Sequence, residues 1–388
     1  MTSLEHARIP ALLRWDADTN ASVSGLVTEL LEATAASVGS VIGRHAGGAD
    51  GAAAMLESIF ALSPGPERLL LAPSVTSLAT RPDLWDSQEG TTNAFDLIVR
   101  ALAAEAFVSG AMGSSESGVW TIWGDVYMPR GLAGPIERNT AITPIRYWRD
   151  DAVFTSPVLP TGTIVDAFSP AAVGGLPEIP DGDSLFTSGE YKSVLSKLTE
   201  AIEWMGAASS YVCWVFARIV RIVVLRRDTR LVGYRAASSS SGIGRVVLRN
   251  PHLQSATVPE IVDALVHEMI HAVLDLVEIR SPFVGAEFKG ERVPSPWTGR
   301  PLDLRTYIHA CFVWYGLLQF WRSSLSAAVG DHQISGTYIL TASRGFLAKG
   351  GVLAPIEPYS QLLAPGILDV IALIQHDAKA GNEWIREP

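Results

Sequence analysis

Cysteine is almost absent from this 388-residue chain: Cys213 and Cys311 are the only two, and both lie in apolar runs. They cannot build the disulfide framework of a small secreted domain, and they read as reduced core thiols of a cytoplasmic protein. Charge is sparse as well. Charged residues make up 18% of the sequence against 48% hydrophobic ones, enough apolar side chains for a buried core and too few charges for a disordered chain. Positive charge is in deficit, with a net charge of −10, so neither nucleic acid nor an anionic membrane is expected as the main partner. The opening residues, Met1 to Arg8, lack the apolar stretch of a secretory signal. The apolar run Ile308 to Trp321 is too short to span a bilayer, and Val212 to Leu225 is broken by Arg218 and Arg221.

What the chain does have is Val266-His267-Glu268-Met269-Ile270-His271-Ala272, a His-Glu-x-x-His signature. It lies in a run that reads as helix from Val258 to Glu278. Residues four apart stack on one helix face, so both imidazoles can share one metal ion. Thr257 with Glu260 has the form of a capping box, Pro259 suits the first turn, and Ser281-Pro282 ends the pattern. Gly and His are missing three and six residues after His271, where Leu274 and Val277 stand, so the extended zincin pattern is excluded. Asp275 is one turn beyond His271, placed to orient a ligating imidazole or to sit as a surface carboxylate. Glu278 is seven residues beyond His271, roughly 10 Å along the axis, and is expected to stay clear of the metal.

The third ligand is expected at His309, the lone His in an apolar helix that Asp303 can cap. Gly316 on the same stripe would let a second helix approach closely.

These pieces resemble the α-ketoglutarate-dependent HExxH peptide β-hydroxylases of ribosomal-peptide gene clusters. The matching residues are Leu265-Val266-His267-Glu268 with His271-Ala272, Leu274-Asp275-Leu276-Val277, Ser295-Pro296-Trp297, Arg300-Pro301-Leu302, and His309 followed by aromatics to Phe320-Trp321. Upstream, Ser238 to Gly242 and Val246-Val247-Leu248 resemble the family's serine-rich turn and strand. The Trp297-to-Pro301 segment is shorter than the family's usual Trp-Arg-x-Asp-x-Arg-Pro. The resemblance implies an Fe(II)-dependent dioxygenase that uses α-ketoglutarate and O₂ to hydroxylate the β-carbon of a residue in a peptide or peptide-derived substrate. Iron would be held by His267, His271 and His309, with Glu268 beside them as a supporting residue or an additional ligand. Arg305 lies one turn before His309, roughly 6 Å along the axis. It could pair with the distal carboxylate of α-ketoglutarate, or with Asp303 or another acid. Arg300 and Arg344 are further candidates for that anchor, and Trp297, in the loop between the two ligand helices, is a candidate substrate contact. The alternative is a zinc peptidase in which Glu268 deprotonates a metal-bound water, with Glu287 or Glu291 as a carboxylate ligand.

The expected fold is α+β and predominantly helical, with a small β-sheet beside the metal-binding helix pair. Residues 1–186 read as a mostly helical region with a loop- and strand-rich second half, and 187–388 as the catalytic region. Helices are expected from Ser22 to about Ile59 with a break at Gly47-Gly48, from Asn93 (as cap) to Met112, and from Ser188 to Gly206. Strands are expected in the second half of Val212 to Leu225, at Arg230 to Tyr234 and at Arg245 to Leu248. The serine run reads as a turn, with an anion site as the alternative. His6, His45 and His376 are expected at the surface.

Overall fold

A computed structural model describes residues 6–45, 49–62, 65–85, 87–113, 116–132, 135–138, 149–173, 185–238 and 242–380. The expected break at Gly47-Gly48 and residues 239–241 of the serine run lie outside them. The longer helices are α1 (Ala17–His45), α2 (Ala49–Phe60), α3 (Gln88–Ser109), α4 (Ser188–Ala208), α5 (Ser210–Ile219), α6 (Val258–Glu278), α7 (Leu304–Ser326), α8 (His332–Leu347) and α9 (Ile367–Ala380). The strands are β1 (Val119–Trp120), β2 (Val126–Met128), β3 (Phe154–Thr155), β4 (Ile164–Asp166), β5 (Ile222–Arg226), β6 (Arg235–Ser238), β7 (Arg245–Arg249), β8 (Arg292–Pro294) and β9 (Pro301–Asp303). The fold is α+β and predominantly helical. Its two compact units do not follow a cut at residue 186. One comprises 1–26, 201–216 and 262–388, the other 27–200 and 217–261.

The second of these holds a four-stranded sheet in the order β4-β5-β7-β6, with β4, β5 and β7 parallel and β6 antiparallel at the edge. Ile222-Val223-Val224-Leu225 and Val246-Val247-Leu248 are buried throughout, the continuous apolar texture of strands covered on both faces. Ile222, Val224 and Val247 join a core with Val38, Val41 and Ile42 of α1, Ile59 of α2 and Ile98 of α3. The edge strand begins at Arg235, not Arg230. Asn250 holds the preceding residues in a turn, its amide donating to the carbonyls of Asp228 at 2.8 Å, Leu231 at 3.2 Å and Gly233 at 3.3 Å. Helix α3 starts earlier than Asn93, because Ser87 caps it by accepting from the Gly90 N–H at 2.9 Å. His45 is half-buried beside Phe95, their rings 5.9 Å apart, rather than at the surface.

Asp166 ends β4 and is buried, accepting from the backbone N–H groups of Phe168 (3.2 Å) and Ser169 (3.0 Å) and from the Ser169 hydroxyl. Burial outweighs these hydrogen bonds and pushes its pKa up to about 6. The folded protein therefore keeps a proton that the unfolded chain releases near pH 4. That stability is complete below pH 4 and is lost as pH rises through 6, a difference of about 3 kcal/mol. Asp166→Asn should remove this slope, so urea unfolding of both proteins at pH 4.5 and pH 7 should show the wild type losing stability relative to the variant as pH rises.

The other unit is built around α7, which is apolar on nearly all sides and therefore central. Trp321 stacks on Tyr338 of α8 at 4.2 Å and donates its indole N–H to Asp263 of α6 at 2.8 Å. Tyr307 donates to the Val352 carbonyl at 2.9 Å, and Tyr315 bonds to Asp377 of α9. His6, expected at the surface, is fully buried: its Nε2 meets the Ser281 carbonyl at 2.9 Å and its ring meets the Phe283 ring. His376 is exposed, as expected. Both cysteines are free thiols. Among the described residues one helical stretch, Thr19–His45, is long and apolar enough to cross a membrane, and 33% of its most apolar window is buried.

Candidate metal centre

Helix α6 spans the residues its end signals predict. The Thr257 N–H donates to Glu260 at 3.0 Å, and the Glu260 N–H returns to the Thr257 hydroxyl at 3.4 Å. Helix α7 starts at its Asp303 cap, which accepts from the Thr306 N–H at 2.9 Å. The hairpin β8–β9 lies in the loop joining them. Gly316 admits α6 closely: a Cβ there would meet the Ile270 side chain at 2.7 Å. His267, His271, Asp275 and Glu278 follow one another at spacings of four, four and three, a single stripe along α6.

His309 of α7 meets this stripe. It is 4% exposed, and its Nδ1 stands 3.2 Å from Nδ1 of His271, with the two rings nearly parallel. Metal–imidazole bonds of about 2.0–2.1 Å separate neighbouring ligand nitrogens by about 3.0–3.4 Å, so this pair has the spacing of one edge of a coordination polyhedron. His267 lies one turn earlier, its ring 5.0 Å from that of His271. Burial, and then the neighbouring His267, His309 and Arg305, hold the His271 pKa well below its ordinary value. Its ring stays neutral, the form that ligates a cation.

The other nitrogen of His309, Nε2, lies 2.7 Å from Glu278. Glu278 also pairs with Arg305 at 2.5 Å, and Arg305 reaches Asp275 at 2.8 Å. Burial pushes the Glu278 carboxyl up, but the His309 hydrogen bond and the Arg305 charge outweigh it and its pKa ends lowered. Burial raises that of Asp275.

Among the described residues, the group whose ligand atoms all lie within 4.8 Å of one another is Asp275, Glu278 and His309 rather than the three histidines. Arg305 already supplies the cation between those two carboxylates.

Several expectations change accordingly. Glu278, not Asp275, is the acid that bonds the His309 imidazole, and Asp275 instead holds Arg305. The axial distance from His271 hid this contact, because helix side chains lean toward the N-terminus and His309 spans the gap with its two nitrogens. Arg305 pairs with two part-buried acids, Glu278 and Asp275, the alternative left open beside the keto-acid carboxylate. Arg300 and Arg344 are exposed and take no part in the group around His309. Glu268 is buried, at 7% exposure. Glu287 is exposed and Glu291 accepts from the Lys289 N–H, so neither joins the histidines.

Trp297 is not an open substrate contact. It is buried, stacks on Trp314 at 5.7 Å and donates its indole N–H to the Ala342 carbonyl at 2.9 Å. The half-buried Trp314, which sequence reasoning passed over inside an aromatic run, is the residue whose ring stands edge-on to His267, at 6.4 Å. An apolar cavity of about 530 Å³, lined by Met55, Leu62, Val99, Leu102 and Met112, belongs to the other unit. The acid in its lining, Glu105, is bound to Arg68 and Arg138. No protein-family model matches the chain, and no curated protein matches it.

Proposed function

We propose that the protein is an Fe(II)- and α-ketoglutarate-dependent oxygenase that hydroxylates a C–H bond, at the β-carbon of a residue, in a peptide or peptide-derived natural product. The observation that carries the metal centre is the 3.2 Å approach of the His271 and His309 Nδ1 atoms at a part-buried site. The resemblance to the HExxH peptide β-hydroxylases supplies the oxygenase chemistry. His267, His271 and His309 would hold iron, three neutral nitrogens that leave positions for a keto acid and O₂. Bound iron with these co-substrates supplies the oxidising power to remove hydrogen from an unactivated carbon. Glu278 and Arg305 hold His309 in place. With Arg305 engaged, Arg300 or Arg344 would have to supply the cation for the distal carboxylate of α-ketoglutarate. Glu268 sits buried beside the ligands as a support rather than a hydrolytic base. The two free thiols suit a reducing, cytoplasmic setting.

The test is anaerobic addition of Fe(II) and α-ketoglutarate, then O₂. A weak visible charge-transfer band followed by succinate is expected. Zn-dependent cleavage of a test peptide without succinate would replace this reading by the peptidase. Glu268→Gln should keep succinate formation within about tenfold of wild type, whereas loss of a general base lowers turnover by about 10²–10⁴-fold.

A further inference from the structure

We infer that Glu278 and Arg305 are positioning residues that fix the tautomer of His309, so that it ligates through Nδ1 and not Nε2. The inference deepens the metal reading above and rests on it for its consequence. A carboxylate accepts hydrogen bonds and has none to give when ionised. Nε2 of His309, 2.7 Å from the Glu278 carboxylate, therefore carries the proton. In the neutral ring Nδ1 is then a bare lone pair, and it is this atom that faces His271 at 3.2 Å. Phe283 packs against the His309 ring, their centroids 5.4 Å apart, so the imidazole is confined as well as bonded.

Glu278 needs holding too, because it is the last residue of α6. Arg305 does this from α7, one turn before His309, with the same nitrogen on Glu278 at 2.5 Å and on Asp275 at 2.8 Å. The contacts alternate between the helices: Arg305 of α7, Glu278 of α6, His309 of α7, His271 of α6. Each holds the next. The carboxylates thereby serve the imidazole and are closed to a second cation by the guanidinium. Outer partners of ligating histidines set ring orientation in this way, and their loss lowers metal affinity by about 10–100-fold.

The experiment uses the full chain, metal-free and then with Co(II) alone. Long-range ¹H–¹⁵N spectra of ¹⁵N-histidine-labelled wild type should show His309 protonated on Nε2 and bare on Nδ1. Glu278→Leu should give a mixture of tautomers and about 10–100-fold weaker Co(II) binding by calorimetry. Arg305→Met should weaken binding in the same direction, and Arg305→Lys should recover most of the loss. A wild-type His309 protonated on Nδ1 and bare on Nε2 would overturn the inference, as would Glu278→Leu protein with wild-type Co(II) affinity. The tautomer measurement needs no metal. Wild type that binds no Co(II) would therefore sink the metal reading, with the tautomer still decided by the spectra.

Discussion

His309→Ala protein should bind Co(II) or Fe(II) more than about 100-fold more weakly than wild type, beyond the loss seen when an outer partner of a ligand is removed. Loss of the imidazole removes one edge of the proposed coordination polyhedron, the nitrogen 3.2 Å from His271. The fold should survive. Glu278 keeps Arg305 as its partner, so the truncation strands no bare buried charge. Calorimetry with Co(II) and circular dichroism separate the two effects. An His309→Ala variant with wild-type affinity would remove His309 from the ligand set and leave it as the residue that orients His271.

Trp297→Ala should lower stability by about 3–5 kcal/mol, the range for truncating a large buried aromatic ring. The indole packs tightly. It stacks on Trp314, meets Phe346 edge-on at 5.3 Å, and bonds through its N–H to the Ala342 carbonyl. Gly345 lets it in, since a Cβ at that position would collide with the indole ring. Because Trp314 also meets His267, the truncation should loosen that imidazole and weaken metal binding too. Urea unfolding measures the first effect. A near-neutral result there, with only a raised KM for substrate, would restore Trp297 as a substrate contact.

What could be read in the chain follows from where each signal is stored. The bounds of α6 were legible because its start is a local exchange between Thr257 and Glu260. The cap of α7 at Asp303 is equally local. His309 stood out as the lone imidazole in an apolar helix, and Gly316 announced a close neighbour. The partners of Arg305 were not legible, because they depend on which faces of α6 and α7 meet. Glu278 was discounted on its distance from His271, although its partner lies on another helix. His6 looked like a terminal surface residue, yet it is buried by a carbonyl 275 positions later in the chain. The two units were hidden for the same reason: each is assembled from separated segments, and composition along the chain does not record that.

Anomalous scattering from crystals of the Co(II)-loaded protein is the most direct measurement. One metal peak bonded to nitrogens of His267, His271 and His309 at about 2.1 Å, with Arg305 still on Glu278 and Asp275, is the predicted result. A metal seated among Asp275, Glu278 and His309 with Arg305 displaced, or one held by His267 and His271 alone beside a carboxylate, would contradict it.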